Sequence, residues 1–155
     1  MIERKGDIFT TEAGYIGHGV NCRGVMGAGI AKRFRSEFGE DYYRQYVLDS
    51  RMGVLEPGKI THYEASLHGY DVIVLNLASQ KVPGANAKYP WLFESLYRAA
   101  SFASSPIRMS DYAGTIAIPE IGCGIGGLEW PKAKKVIETV EYLVSTIEFE
   151  VWHYA

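Results

Sequence analysis

The stretch NCRGVMGAGIAKRF, residues 21–34, sets Gly24, Gly27 and Gly29 within six residues and then turns helical. From Gly29 onward, Ile30, Ala31, Phe34 and Phe38 recur at helical spacing, while Lys32, Arg33 and Arg35 fall on other faces. Glycine permits positive φ and removes the side chain that would keep a ligand off the backbone. Two readings follow: a sterically tight turn, or a ligand lying against bare main chain. The preceding YIGHGVN, residues 15–21, is rich in β-formers, so the local plan is strand, glycine loop, helix.

A second stretch repeats that plan. IAIPEIGCGIGGLEWPKAKKVIE, residues 116–138, runs from an apolar strand through Gly122, Gly124, Gly126 and Gly127 into a helix with Pro131 in its first turn. A helix N-terminus offers free N–H groups and a positive dipole end, and together with bare backbone these bind phosphate. Two such loops in one domain could hold a diphosphate between them. The spacing of Gly24, Gly27 and Gly29 is GxxGxG, the reverse of the dinucleotide fingerprint. No GK[ST] is present, which argues against a P-loop NTPase.

Outward from the loops, the remaining segments alternate. MIERKGDIF (1–9) starts with a short strand candidate, KITHYEAS (59–66), YDVIVLNLA (70–78), GTIAIPEIG (114–122) and EFEVWHYA (148–155) read as strands, and LHGY (67–70) reads as a hairpin turn. Tyr42, Tyr43, Tyr46 and Val47 indicate a short helix ending near Gly53. Leu92, Leu96, Ala99, Ala100 and Ala103 indicate another, and Ala133, Val136, Ile137, Val140 and Val144 continue the one begun at Pro131. VPGANAKYP, residues 82–90, reads as a loop. Several strands are apolar without a strict period of two, as strands buried on both faces are. The expected fold class is α/β, three-layered, with a mixed central sheet, in one domain spanning 1–155.

Composition narrows the function classes. The chain has 155 residues, 47% hydrophobic, with a net charge of −2, so no global basic field recruits nucleic acid or anionic membrane. Its longest strongly apolar run, residues 72–78, is far too short to cross a bilayer. The start, MIERKGD, lacks the apolar segment of a signal peptide, and two cysteines make no disulfide framework, so the cytoplasm is the expected compartment. Cys22 and Cys123 read as small packing residues. His18, His62, His68 and His153 have no metal-ligand spacing with them, so neither metal nor cofactor is expected. Eleven tyrosines and three tryptophans exceed what a core of this size needs, which leaves some to face a ligand.

The segments KGDIF (5–9), HGVNCRGVMGAGIA (18–31), IPEIGCGIGGLEW (118–130) and EVWHYA (150–155) together resemble the macro domain family, which binds ADP-ribose, over nearly the whole chain. The short loop NCRGVMGAG and the phrase IGCG resemble most the branch with the terminal ADP-ribose protein glycohydrolase, the DNA ADP-ribosyl glycohydrolases and the yeast-type ADP-ribose 1″-phosphate phosphatase. The resemblance implies that Asp7 accepts from the adenine amino group, Ile8 lines the adenine pocket and Tyr154 packs near it. Asn21 would sit by the distal ribose. Gly27, Ala28, Gly29 and Ile30 would wrap the diphosphate from one side, and Gly122, Cys123, Gly124, Ile125 and Gly126 would close over it. The implied partner is ADP-ribose or an ADP-ribosylated molecule, bound by a monomer.

Catalysis is less clearly written. Glycohydrolases of this branch are described with a lysine at the end of the central strand and an aspartate in the second glycine loop. In LNLASQK, residues 75–81, Gln80 falls at the lysine position and Lys81 one residue later; Gly126 falls at the aspartate position. An amide is not nucleophilic and glycine carries no acid, so this chain lacks both groups. A one-residue shift would bring Lys81 in, against the alternation of strand side chains. Hydrolysis of ADP-ribose 1″-phosphate needs less: main-chain donors stabilise the developing charge, and His18 or Glu120 is the candidate base. The plain alternatives are a structural histidine and a strand-end salt bridge. An Asx turn at Asn21, a capping carboxylate at Asp7 and a core tyrosine at Tyr154 also stay open.

Overall fold

In β4 (Tyr70–Leu77), Ile73, Leu75 and Leu77 point into one buried cluster while Val72 and Val74 point into another. That two-sided burial makes the strand a nearly continuous apolar run and places it inside a three-layer molecule. The computed structural model describes residues 1–105 and 114–154. Its other strands are β1 (Ile2–Lys5), β2 (Tyr15–Gly19), β3 (Ile60–Leu67), β5 (Thr115–Pro119) and β6 (Glu148–His153). Among the described residues the helices are α1 (Gly29–Phe38), α2 (Glu40–Arg51), α3 (Tyr89–Ala103) and α4 (Trp130–Leu143), with a 3₁₀ turn at Ile8–Thr10. Ala155, the last residue of the expected closing strand, lies outside the described residues.

The sheet runs β1-β6-β5-β2-β4-β3. All neighbours are parallel except β3 and β4, which form a hairpin. The expected turn is there: His68 and Gly69 have φ of 51° and 83°, the two positive values that a tight hairpin turn requires. One face of the sheet is covered by α3 and α4 through Leu92, Leu96, Ala133, Ile137 and Val140. The other is covered by α1 and α2 through Phe34, Tyr42 and Tyr46. The fold is thus the expected three-layer α/β with a mixed sheet.

This topology positions the site. β2 and β5 are neighbours, yet the chain leaves β2 toward α1 on one face and β5 toward α4 on the other. In open α/β sheets, such a reversal opens a crevice beyond the carboxyl ends of the strands. Gly19, the last residue of β2, keeps its floor narrow. A Cβ there would stand 2.6 Å from Ser79 Oγ and 2.8 Å from Ile121 Cγ2, below any real contact. Gly19→Ala is therefore expected to destabilise the chain by about 1–3 kcal/mol, the usual range for overpacking. Urea unfolding would measure it, and a change under about 0.5 kcal/mol, the size of an ordinary surface substitution, would contradict the packing.

Candidate functional site

The two glycine loops meet. Residues 20–28 lead from β2 to α1 and residues 120–129 from β5 to α4, and both border one cleft of about 600 Å³ at the carboxyl ends of the strands. Gly27, Ala28, Gly29 and Ile30 line it from the first loop, and Gly122, Gly124, Ile125 and Gly126 from the second. Ser79, Gln80, Pro83 and Gly84, which follow β4, complete the wall at one end; Trp152 and Tyr154 of the β6 segment stand at the other.

Some of these glycines answer to the fold and some do not. Gly29 and Gly122 have φ of 58° and 77°, and a Cβ on Gly126 would sit 2.7 Å from the Gly122 carbonyl oxygen. Gly27 and Gly124 have neither positive φ nor any atom within 4 Å of a built Cβ. Chain geometry does not require glycine at those two positions. Both line the cleft, and a side chain there would occupy space that a ligand could use.

The loops also carry free donors. The N–H groups of Gly27, Ala28, Gly29, Ile30 and Ala31 donate to no acceptor among the described residues, nor do those of Gly124, Ile125 and Gly126. Ala28, at the N-cap of α1, supplies no side-chain cap, and the first turn of α1 holds no acidic residue. Free N–H groups and the positive end of the helix dipole suit that helix end to an anion.

Side chains behind the first loop hold its shape. The Asn21 carboxamide accepts from the N–H of Arg23 (2.9 Å) and donates to the Val25 carbonyl (2.9 Å). Tyr46 donates to the Asn21 carbonyl at 2.7 Å and Tyr43 to the Gly24 carbonyl at 2.9 Å. Asn21 lines the cleft with an Asx turn already made. Tyr43 and Tyr46 of α2 thus brace this loop from behind.

The other expected residues are spread. Asp7 lies outside the lining. Its Oδ1 caps the 3₁₀ turn by accepting from Phe9 N–H (3.0 Å), and its Oδ2 accepts from Arg33 (3.1 Å), whose guanidinium holds the carboxyl below the usual range. Arg33 itself lines the cleft and lies 4.8 Å over the Phe9 ring. Ile8 is buried in the core beneath that turn, and Tyr154 is an exposed residue at the cleft rim. Gln80 faces the cleft but spends its amide on the Val82 and Gly84 carbonyls (2.8 and 3.1 Å). Lys81 is exposed and is not part of the lining.

His18 is fully buried on the α1–α2 side, stacked on Phe34 at 3.8 Å, with Nε2 bonded to Tyr42 and Asn76. Burial pushes its pKa down to about 3, so it stays neutral, outside the cleft and inside the core. Glu120 lines the cleft, hydrogen-bonded to His153. Arg33, Ser79, Gly84 and Trp152 also line the cleft and went unread as site residues. The nearest signals were their neighbours: Ser79 precedes Gln80, and Trp152 stands two before Tyr154 on one strand face. No group of three or more His, Cys, Asp or Glu among the described residues could hold a metal ion.

The thiols turn inward. Cys22 Sγ donates to the Gln80 carbonyl and Cys123 Sγ to the Ile121 carbonyl, each at 3.5 Å, and burial pushes both thiols up to about 11. Cys123 is thus in the second loop without lining the cleft. Near pH 7.5 both should alkylate far more slowly than glutathione, gaining reactivity only as pH approaches 10, because the thiolate is the nucleophile. Mass spectrometry after iodoacetamide would show it, and rapid modification of either cysteine at pH 7.5 would contradict this placement.

Comparison with known proteins agrees with the geometry. A DNA ADP-ribosyl glycohydrolase of Thermus aquaticus is 31% identical over 136 residues, covering 87% of this chain and 35% of that protein. The chain spans about a third of the length of the curated DNA ADP-ribosyl glycohydrolases it matches. A 17.5 kDa protein from the tk–vs intergenic region of phage T4 is 28% identical over 137 residues and is covered over 86% of its length. Among solved structures, the macrodomain of Thermus aquaticus DarG superposes with a TM-score of 0.81 at 25% identity, covering 99% of this chain and 97% of that one. Thermosipho africanus DarTG, solved in complex with ADP-ribose, shares the fold with a TM-score of 0.74 at 23% identity, over 97% of this chain and 41% of that one. The macro domain description matches residues 18–137, and with two glycine loops closing on one cleft, the chain belongs to the macro domain family.

Proposed function

We propose that the chain binds ADP-ribose, free or as the terminal group of an ADP-ribosylated molecule, with the diphosphate held between the two glycine loops. The observation that carries this reading is the bareness of Gly27 and Gly124 in a cleft lined by unpaired N–H groups. Adenine then lies toward Arg33, Trp152 and Tyr154, with Asp7 behind Arg33, and the distal ribose toward Asn21 and Gln80.

Binding without lysine-type hydrolysis fits the side chains at the distal end. Asn21 and Gln80 are both amides engaged with the backbone, and Lys81 is outside the lining. At Gly126 the Gly122 carbonyl and Ala87 leave no room for a carboxylate-bearing side chain. Hydrolysis of ADP-ribose 1″-phosphate would rest on main-chain donors alone at that end. A second reading, removal of ADP-ribose from nucleic acid or protein, is favoured by the relationship to DNA ADP-ribosyl glycohydrolases. The chain is proposed to act as a cytoplasmic monomer, in keeping with two unpaired thiols. No helix among the described residues is long and apolar enough to cross a membrane.

Calorimetry with ADP-ribose tests the binding claim. Gly124→Val adds a side chain to open space, so the fold should survive while affinity falls about tenfold or more, the loss of roughly one hydrogen-bonded contact. Undiminished affinity in a folded Gly124→Val protein would contradict the cradle. Incubation with ADP-ribosylated single-stranded DNA and with ADP-ribose 1″-phosphate tests the chemistry. The expected result is retention of both substrates, and release of ADP-ribose from the DNA would establish the second reading.

A further inference from the structure

The cleft is furnished for an anion, yet an acidic residue, Glu120, is among its lining. A carboxylate beside a diphosphate is repulsive unless the ligand also brings hydrogen-bond donors to it. Glu120 is not loose. Its Oε1 accepts from His153 Nδ1 at 2.5 Å, and His153 Nε2 donates to Glu3 Oε1 at 2.9 Å. Glu3 Oε2 in turn accepts from Lys134 of α4 at 3.1 Å. Trp130 closes on the imidazole edge-on, with ring centroids 5.0 Å apart. Partial burial pulls the His153 pKa down, but the hydrogen bonds to Glu120 and Glu3 outweigh it and hold the imidazole above the usual histidine range. A chain of charges from β1 and α4 thus fixes one oxygen of Glu120. Its other oxygen, Oε2, bonds to no described residue.

Place along the cleft says which part of a ligand it meets. Pro119 is paired with Trp152, so Glu120, next in the chain, stands beside His153 at the β6 end of the cleft, the end that Trp152 and Tyr154 also line. Asn21 and Gln80 follow β2 and β4 at the other end. With a diphosphate between the glycine loops and adenine toward β6, the group between them is the ribose of the adenosine. Its cis-diol offers O–H donors, and a carboxylate is the acceptor that reads a ribose 2′-hydroxyl elsewhere.

We propose that Glu120, positioned by His153, accepts from the 2′-hydroxyl of the adenosine ribose and makes the cleft prefer a free 2′-hydroxyl over a 2′-phosphate. This rests on the reading of the cleft as an ADP-ribose site. Glu120 is then a ligand-binding residue, and His153 a positioning residue. A 2′-phosphate would set added negative charge against the Glu120 carboxylate, as an acidic residue does in sites that favour the unphosphorylated dinucleotide.

Calorimetry with ADP-ribose, its adenosine 2′-phosphate and its adenosine 2′-deoxy analogue tests it on the whole chain. The unchanged protein should bind both analogues about tenfold or more weakly than ADP-ribose. Glu120→Gln should bring the 2′-phosphate to within a few-fold of ADP-ribose, since the amide removes the charge and supplies a donor. His153→Gln should narrow the same ratio to a lesser extent, a shift that loss of stability alone would not produce. Equal binding of all three ligands by the unchanged protein overturns the assignment without any variant. So does an unchanged ratio in Glu120→Gln. Failure of the unchanged protein to bind ADP-ribose overturns the reading of the cleft itself, and this proposal with it.

Discussion

Free main-chain N–H groups attract an anion only while something else holds the main chain still. Glycine supplies closeness but no rigidity, since it has more conformations to lose than any other residue. The first loop is held from behind, by Asn21 within it and by Tyr43 and Tyr46 from α2. The second is held by its own bond from Leu128 N–H to the Gly122 carbonyl and by Ala87 N–H donating to the Gly126 carbonyl. Groups engaged with the loops' own main chain therefore give the cleft its shape, and preorganised donors need no rearrangement when charge arrives.

The same division separates the buried polar groups from the cleft. His18, Tyr42, Asn76 and Thr61 form a hydrogen-bonded set beneath α1 and α2. It joins β2, β4 and β3 to the helix that braces the first loop. A neutral histidine there costs less to bury than a charged one, which is why its low pKa is a packing property. At the cleft, charge is kept at one end: Arg33 with Asp7, and Glu120 with His153, both toward the β1–β6 edge. The distal end, with Asn21, Ser79 and Gln80, is lined by neutral side chains. An asymmetric ligand suits such a cleft better than a symmetric diphosphate.

Much of this was legible in the residues. Apolar runs that ignore a period of two marked the doubly buried strands, and the repeated plan of strand, glycines and helix marked the two loops. LHGY announced its turn because two successive positive φ values at His68 and Gly69 suit few residue pairs. What stayed hidden was side-chain direction at the ends of strands. His18 precedes the first loop by two residues, yet its face of β2 is the α1 face. Asp7 is joined to the cleft through Arg33, 26 residues away in sequence. The pairing of Glu120 with His153 spans 33 residues and depends on β5 lying beside β6, which no local pattern reports. Nor could glycine counting separate Gly27 and Gly124 from their neighbours, because only the folded surroundings reveal which glycines the chain itself needs.

The claim on which the rest depends is that both loops grip one anion through their main chains. Backbone amide NMR during titration with ADP-ribose tests it most directly. Resonances of Gly27–Ile30 and of Gly124–Gly126 should shift together, at one shared midpoint. Movement confined to one loop, or two separate midpoints, would contradict a single cradle.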